Sequence, residues 1–593
     1  MANRWRPEYQ WPNRTIDEDM RRAAREHPDA PVVFHRGNDG RDDRPDRHDS
    51  ADHGSLNHAG VRQAGLSPIT TGSALTTGPM PTSGPALTTT TLSELFSRGE
   101  QAAVGFQRLG LRPGDALAIQ VPNWVEGAIA HIAGWLAGAI VVPIVPIYGP
   151  REVGFILRQS SARIFVVAGH WGGRDRADLL IRLGELPALS AVVVIGERPA
   201  AAIAEQPAAA TASYSIIAWD RLDAVVAWSS EPESPTSLEP PAVDPHDTCL
   251  LVYTSGTTAD PKGVRHSHNT LLTEVHAMAA LRDSRPDTVA LAAFPSGHVA
   301  GVLGLLRLLV LATPTVVMDS WDAAVAARLV AEHRVTTSSG APVYLATLLD
   351  EAERSGRDLT SLAEYLTGAA NVSPALIERA DRAGIAAYRS YGSSEHPTIS
   401  SGLPADPLVK RATTDGRVTP GNEVRIVDGD GRDLPGGTDG EIIVRGPEQF
   451  LGYQDAALDA ESFFPGGWLR TGDIGHLDVD AYLTVTGRKK DIIVRGGEKI
   501  SAKEVEDLLL GHPAVAEAAV VGAPDERYGE RVCAFVVPRP GESLDLPEVA
   551  RHFAQAGLAR QKTPERLVLA DALPRTAAGK VRKHLLRDQL QEE

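Results

Sequence analysis

Apolar and polar residues alternate along the chain with two periods, and the changes of period predict its elements. LSELFSRGEQAAVGFQRLG, from Leu92, repeats its apolar positions at helical spacing and stops at Gly110. DALAIQVPN then reads as a strand, with Asp115 closing the turn before it. WVEGAIAHIAGWLAGA reads as a helix, AIVVPIVP as a strand and turn, and ARIFVVAG as another strand. Strands alternating with helices imply a layered α/β fold with a largely parallel sheet. From Gly416 the texture shortens. NEVRIVD, GEIIVRG and AYLTVTG are brief strands between turn residues and predict a β-rich subdomain. The tail returns to mixed periods: SAKEVEDLLLGHPAV and LPEVARHFAQAG as helices, EAAVVGAP and VCAFVVP as strands, together a small α+β domain.

Two stretches lack any such period. Residues 36–91 open with RGNDGRDDRPDRHDSADHG, dense in charge, and continue with TTGSALTTGPMPTSGPALTTTT, nearly free of core residues. Neither buries enough apolar surface to offset ordering entropy, so the segment reads as a disordered insert. His35, His48, His53 and His58 fall in or beside it and read as part of that solvated segment rather than as a metal tract. Between Pro199 and His246, AAAIAEQPAAATA reads as a poor helix and SSEPESPTSLEPPAVDP as a linker.

Composition narrows the class. Hydrophobic residues make up 42% and charged residues 23% of the 593 positions, ordinary globular usage that excludes a wholly disordered chain. The cysteines are Cys249 and Cys533 alone, which excludes a disulfide scaffold and a paired-cysteine zinc site. Lys plus Arg is 59 and Asp plus Glu 76, a formal charge of −17 that disfavours nucleic acid and anionic membrane as partners. MANRWRPEYQWPNR carries no apolar run of the secretory kind. Leu136 to Tyr148 holds Pro143 and Pro146, and Val302 to Met318 is broken by Arg307 and Pro314, so both read as buried core rather than membrane spans. The expectation is a soluble, cytoplasmic enzyme or binding protein.

Chemistry concentrates in ordered short segments. Tyr253-Thr254-Ser255-Gly256-Thr257-Thr258-Ala259-Asp260-Pro261-Lys262-Gly263 follows the strand CLLVY. Small hydroxyl residues and glycine at a strand end let N–H and O–H groups close on phosphate oxygens, and Lys262 adds charge. No Gly-Lys-Ser/Thr ends the loop, so it is not a Walker loop. Further on come Tyr391-Gly392-Ser393-Ser394-Glu395, then Trp468-Leu469-Arg470-Thr471-Gly472-Asp473, then Gly487-Arg488-Lys489-Lys490-Asp491. Arg495-Gly496-Gly497-Glu498-Lys499 and Pro574-Arg575-Thr576-Ala577-Ala578-Gly579-Lys580 complete the series. Each alone reads as a turn or a solvated basic run; a serine-hydrolase elbow is excluded at Ser393 because no glycine closes it.

In order and spacing these segments resemble the adenylate-forming enzymes: acyl-CoA synthetases, nonribosomal peptide adenylation domains and firefly-luciferase-like proteins. Ala259 stands where the family has glycine, and Ser394 replaces its threonine. The resemblance implies that Thr254, Ser255, Gly256, Thr257, Thr258 and Lys262 hold the phosphates of ATP. It places Tyr391 against adenine with Gly392 beside it in the ATP site, Ser394 and Glu395 at phosphate and Mg²⁺, Asp473 at the ribose, and Arg488 at the ribose or the phosphates. A carboxylate with a neighbouring hydroxyl suits Mg²⁺, and a carboxylate suits a vicinal diol. It makes Lys490 the hinge, Gly496, Gly497 and Lys499 the thioester loop, and Lys580 the catalytic lysine. It also implies a division into an N-terminal segment (1–35), the insert (36–91), an AMP-binding N-terminal domain (92–487), a hinge (488–491) and a mobile C-terminal lid domain (492–593).

The implied reaction has two steps. A carboxylate attacks the α-phosphorus of ATP and pyrophosphate leaves; then a thiol, expected to be coenzyme A, attacks the acyl carbon and AMP leaves. Arg495, Lys499 and Lys503 could carry charge for the CoA phosphates. His298, in Phe294-Pro295-Ser296-Gly297-His298, resembles the family's residue lining the acyl site and is read as catalytic. The aspartate that amino-acid-activating members carry after this phenylalanine is missing, which disfavours an α-amino acid. Gly301, Gly368, Ala369 and Ala370 are small and suggest a roomy apolar pocket for a medium-chain, alicyclic or aromatic acid. His396, next to Glu395, is a further candidate for that pocket. The alternatives are an acyl-AMP ligase that loads a carrier protein and a noncatalytic acyl-nucleotide binder; the sequence leaves the oligomeric state open.

Overall fold

The computed structural model describes residues 11–37, 86–172, 174–176, 179–180, 182–196, 214–222, 237–238, 241–254, 261–282, 287–496, 498–525, 527–556, 558–575 and 580–592. Two large sheets carry most of the chain. The first has nine strands, with Pro31–Arg36, Thr315–Met318, Ala290–Ala292, Thr337–Gly340, Glu364–Thr367 and Ala386–Tyr391 running parallel through its middle. The second has eight, including the parallel strands Ala116–Gln120, Ile140–Pro143, Ile164–Ala168, Ala191–Ile195 and Thr248–Thr254. The expected α/β layering is therefore present, a large N-terminal body followed by a smaller α+β one.

The largest core lies between the two sheets. Helix Val125–Leu136 is apolar but for Glu126 and His131, and all of its residues are buried, as a helix with no continuous polar face must be. It packs so closely on helix Leu92–Arg108 that a Cβ at Gly99 would sit 2.3 Å from Ile132. Its Trp135 indole donates to the Cys249 carbonyl at 3.2 Å, tying it to the second sheet. The two apolar runs flagged in the sequence become interior strands and helix Val299–Leu311. Among the described residues no helix is long and apolar enough to cross a membrane.

The shorter strands form a third sheet, with Glu423–Val427, Gly440–Arg445, Trp468–Leu477 and Leu483–Arg488 in antiparallel pairing. The tail builds a separate sheet from Ile492–Arg495, Glu498–Ser501, Val515–Asp525, Gly529–Pro538 and Arg566–Leu569, with its own apolar core. The helices Ala502–Leu510, Leu546–Gln555 and Lys583–Glu592 belong to this body.

Three expectations need correction. Arg36 ends a strand, and Ala86–Thr91, read from sequence as part of the insert, is an edge strand antiparallel to it. Threonine favours the pleated, half-buried surface of a strand, so polar composition alone misled; residues 38–85 lie outside the described residues. His35 is a buried strand residue, and no group of three or more His, Cys, Asp or Glu among the described residues is arranged to hold a metal, while His48, His53 and His58 are outside the described set. Within the soft stretch before His246, Ser215–Ala218 extends the second sheet, parallel to Ala191–Ile195.

The first and third sheets are joined by a buried ion pair. Arg389 lies 2.9 Å from Asp415, whose second oxygen accepts from the Val485 amide at 2.8 Å. Both side chains are almost wholly covered. Removing one partner leaves an uncompensated buried charge, so Arg389→Met is expected to cost about 3–5 kcal/mol, read as a lower urea midpoint at unchanged slope. A midpoint equal to that of the parent would contradict this account.

Candidate active site

The ends of the strands converge on one cleft. Thr254 ends its strand and pairs across with Lys262, so the two flank the loop expected from sequence to meet phosphates. Ser255, Gly256, Thr257 and Thr258 lie outside the described residues. Lys262 stands over the Tyr453 ring at 5.3 Å, and the Tyr453 hydroxyl donates to Glu395 Oε1 at 2.7 Å. Tyr453 thereby fixes Glu395 and leaves Oε2 with no hydrogen-bond partner among the described residues. A half-buried carboxylate with one open oxygen fits a hard divalent cation.

The segment around Glu395 is a tight turn, as its composition suggests, but not a surface one. The Ser393 amide donates to the His396 carbonyl at 2.9 Å. A Cβ at Gly392 would lie 1.9 Å from the Pro397 carbonyl oxygen, so the turn admits only glycine there. Behind it, buried His266 is pushed down to about 4 by desolvation and donates Nε2–H to the Ser394 carbonyl at 2.7 Å. His396 turns inward, fully buried, with Nδ1 3.9 Å from Glu448, and so does not enter the cleft. Burial and then Glu274 push the Glu448 carboxyl well up. Glu274 Oε2 and both Glu448 oxygens meet no other donor, while Thr398 donates to Glu274 Oε1 at 2.6 Å. A proton shared between the two carboxyls satisfies them.

Asp473 is the node of the opposite wall. It is 3% exposed, accepts from the Tyr391 hydroxyl at 2.7 Å and lies 2.8 Å from Arg488 Nε. Strand register enforces this, because Asp473 and Arg488 are paired neighbours on adjacent strands. Desolvation, followed by the Asp473 charge, raises the Tyr391 hydroxyl far above its ordinary range and keeps it a donor. Asp473 in turn raises Arg488. Lys490, on the short turn Lys489–Asp491, is lowered by desolvation and then by Arg488.

Lys580 reaches this cleft from the C-terminal body. The residue as a whole is exposed, but its ammonium lies among the cleft groups, where desolvation, then repulsion from Arg488, lowers it to about 8. Glu395 and Asp473 also act on it. His298 caps the start of helix Val299–Leu311 and is half-buried; desolvation, then Lys580, brings it to about 4, so its ring is neutral near pH 7. The structure thus gathers Glu395, Tyr391, Asp473, Arg488, Lys490, His298 and Lys580.

The loop of Gly496 and Lys499, expected from sequence to serve the thioester step, is not gathered with them. Gly496, in the left-handed region at φ 58°, turns the hairpin that pairs Arg495 with Glu498, and its amide donates to the Tyr528 carbonyl at 2.7 Å. Arg495 is engaged by Glu565 at 2.8 Å, so its charge is already matched within the C-terminal body. Gly497 lies outside the described residues, and Lys499 is placed in its strand by its backbone alone. The proposed acyl-pocket glycines also separate. Gly301 lines a cavity under its helix with Trp124, Phe294, Gly304, Leu305 and Leu308. Gly368, Ala369 and Ala370 do not line it. Gly368 instead follows its strand where a Cβ would meet the Ser390 carbonyl at 2.7 Å, and Ala369 takes φ +65°.

Sequence reasoning passed over two supports. Tyr453 is the hydroxyl that holds Glu395, and Asn123 braces the His298 loop by donating to the Phe294 and Met318 carbonyls and accepting from the Ser296 amide. The tyrosine lies outside every motif singled out in the sequence, and only the strand pairing with Val264 brings it to the site.

With this geometry in view, the comparisons are consistent. Residues 82–454 match the family described as AMP-binding enzyme, and residues 504–580 match the AMP-binding enzyme C-terminal domain. The chain belongs to the AMP-binding enzyme family. It is similar to the medium-chain fatty-acid–CoA ligase of Escherichia coli (strain K12), 33% identical over 485 residues, covering 81% of this chain and 82% of that protein. It is also similar to salicyl-AMP ligase / salicyl-S-ArCP synthetase of Mycobacterium tuberculosis (strain ATCC 25618 / H37Rv), 31% identical over 589 residues, 98% of this chain and 91% of the relative. Among solved structures, anthranilate CoA ligase AuaEII in complex with anthranoyl-AMP aligns with a TM-score of 0.74 at 26% identity, covering 85% of this chain and 94% of that one.

The nearness of Lys580 and His298 has a measurable sign. His298 is expected to titrate near pH 4, and Lys580→Met to raise that value, because removing a neighbouring cation favours the imidazolium. Histidine NMR, assigned with His298→Gln, reads both. An unchanged value in Lys580→Met would place the lysine away from the ring.

Proposed function

We propose that the chain is an AMP-forming carboxylic acid–CoA ligase acting on a medium-chain, alicyclic or aromatic acid. The observation that carries the reading is the meeting of Lys580 with Glu395, Asp473, Arg488 and His298 in one cleft. The family membership and the CoA ligases among its relatives support the thiol acceptor. Tyr391 and Asp473 would hold the adenosine, Asp473 and Arg488 meeting the ribose. Thr254 to Thr258 and Lys262 would meet the phosphates.

In the first step the acid carboxylate attacks the α-phosphorus and the bond to pyrophosphate breaks. The nucleophile is already ionised near pH 7, so no general base is required. Lys580 supplies positive charge where negative charge accumulates, and the cleft walls hold the reactants in line. Mg²⁺, held through Glu395 Oε2 with Ser394 beside it, would supply charge neutralisation of the phosphates. In the second step the CoA thiolate attacks the acyl carbon and AMP leaves. The C-terminal body would turn about Lys490, withdrawing Lys580 and bringing the hairpin of Gly496, Gly497 and Lys499 to the cleft. The long match to the salicyl-AMP ligase supports a second reading, in which a carrier-protein thiol is the acceptor.

Pyrophosphate and AMP release with Mg-ATP and a panel of acids, with and without CoA, tests the proposal. CoA-dependent AMP release is expected; adenylate formation indifferent to CoA would favour the carrier-protein reading, and silence across the panel would oppose both. Lys580→Ala is expected to slow adenylation by about a hundredfold or more while sparing thioester formation from supplied acyl-adenylate. Because the lysine acts as a cation and deprotonates near pH 8, kcat/KM for adenylation should fall as pH rises through about 8. Loss of that limb in Lys580→Ala would assign it to the lysine, and its persistence would not.

A further inference from the structure

Helix Val299–Leu311 starts at His298 and descends between the sheets, and its otherwise apolar sequence carries one charge, Arg307. An arginine in an interior helix needs an anion or water to offset its desolvation. Here it has neither a hydrogen bond nor an ion pair with any described residue, and its Nε is buried without a partner.

The neighbouring charges are already committed. Arg282 lies 3.2 Å from Glu364 and donates to the Tyr388 hydroxyl at 2.8 Å. Glu364 also accepts from Thr337 at 2.7 Å. Glu274 accepts from Thr398, and burial raises its carboxyl toward the neutral form. Arg307 is the one cation of this group that touches none of its anions: Glu364 and Glu274 act on it only through space. Desolvation, then repulsion from Arg282, lowers it to about 10 against the pull of Tyr388, Glu364 and Glu274, as for a guanidinium with no anion in direct contact.

Its position connects it to the cleft. Ala300, Leu303 and Arg307 share one face of the helix and are only half-buried, although the helix is interior. Tyr388 lies close enough to act on the Arg307 charge, and along the sheet register from it Leu366 and then Ser339 are half-buried. Surface exposed on both sides of a buried helix–sheet seam requires a hollow between them. The helix rises about 9 Å from Gly301 to Arg307, and the long side chain leans back toward the helix start, that is, toward His298.

Resting on the ligase reading above, we infer that Arg307 is a specificity-determining residue at the floor of the acyl site, and that the preferred acid carries a second oxygen acceptor, a carbonyl or carboxylate, at the end remote from the carboxyl that is activated. The arginine donates to that oxygen, and the apolar seam between Leu303 and Leu366 covers the carbon skeleton. A plain hydrocarbon tail would leave the guanidinium dry and unpaired, so the site selects against it.

Three acids of equal chain length test this: octanoate, octanedioate, and the octanoate analogue with a methyl ketone at its far end. The wild-type protein is expected to favour one of the oxygenated acids over octanoate by at least about tenfold in kcat/KM, carried mostly by KM. Preference for the diacid would identify an anion as the ligand, and preference for the ketone a neutral carbonyl. Arg307→Met should abolish the preference, and Arg307→Lys should restore part of it. Binding of each acid in the presence of a non-hydrolysable ATP analogue, by calorimetry, reads the same ratio where turnover is slow. Equal or better use of octanoate by the wild type, with the ratio unchanged in Arg307→Met, would overturn the inference while leaving the ligase intact. The expected preference in adenylation without transfer to CoA would sustain Arg307 and overturn the CoA reading instead. Failure of all three acids to bind would overturn the assignment of Arg307.

Discussion

The Asp473 carboxylate holds the cleft together. A tyrosine from the end of the first sheet, an arginine from the third and a lysine from the C-terminal body all feel this one buried charge. Asp473 is almost wholly covered and has two committed partners, so its charge is fixed in place before any ligand arrives. Such preorganisation is what electrostatic catalysis needs, since dipoles and charges set during folding cost nothing to orient during reaction. The strand pairing sets Asp473 beside Arg488, so the geometry of this wall is expressed as sheet register.

Much of this was legible in the sequence because strand ends advertise themselves. Thr254, Tyr391 and Arg488 each terminate or close an apolar run, and motifs at strand ends have few places to go in a layered α/β fold. The remainder was illegible for equally physical reasons. Tyr453 reaches Glu395 across 58 residues through an antiparallel edge strand that two residues barely define. Asn123 looks like an ordinary turn residue until the loop it braces is folded over it. Arg307 was visible as a break in an apolar run, but its lack of a partner depends on how Arg282 and Glu364 settle against each other. The threonine-rich strand Ala86–Thr91 shows the opposite error: its composition mimics a linker, and only pairing reveals its role.

The two ends of the C-terminal body are tied down differently. Near the cleft, Asp491 lies 2.7 Å from Arg587, Asn371 donates to Asp507 at 2.6 Å, and the Ser501 hydroxyl donates to the Thr486 carbonyl at 2.5 Å. These are polar contacts of the kind found where surfaces part and rejoin, whereas the interior of each body is apolar. The hairpin at Gly496, by contrast, is anchored wholly within its own body through Tyr528 and Glu565. It would travel as a rigid attachment in any reorientation of that body.

The paired carboxyls of Glu274 and Glu448 carry a separate consequence. The formal charge of −17 counts every acidic side chain as ionised. A proton held between two buried carboxyls makes that pair less negative in the folded molecule than in the unfolded chain at the same pH. Folding is then itself a protonation reaction, and buffer composition enters the heat of unfolding through a group that never meets the solvent.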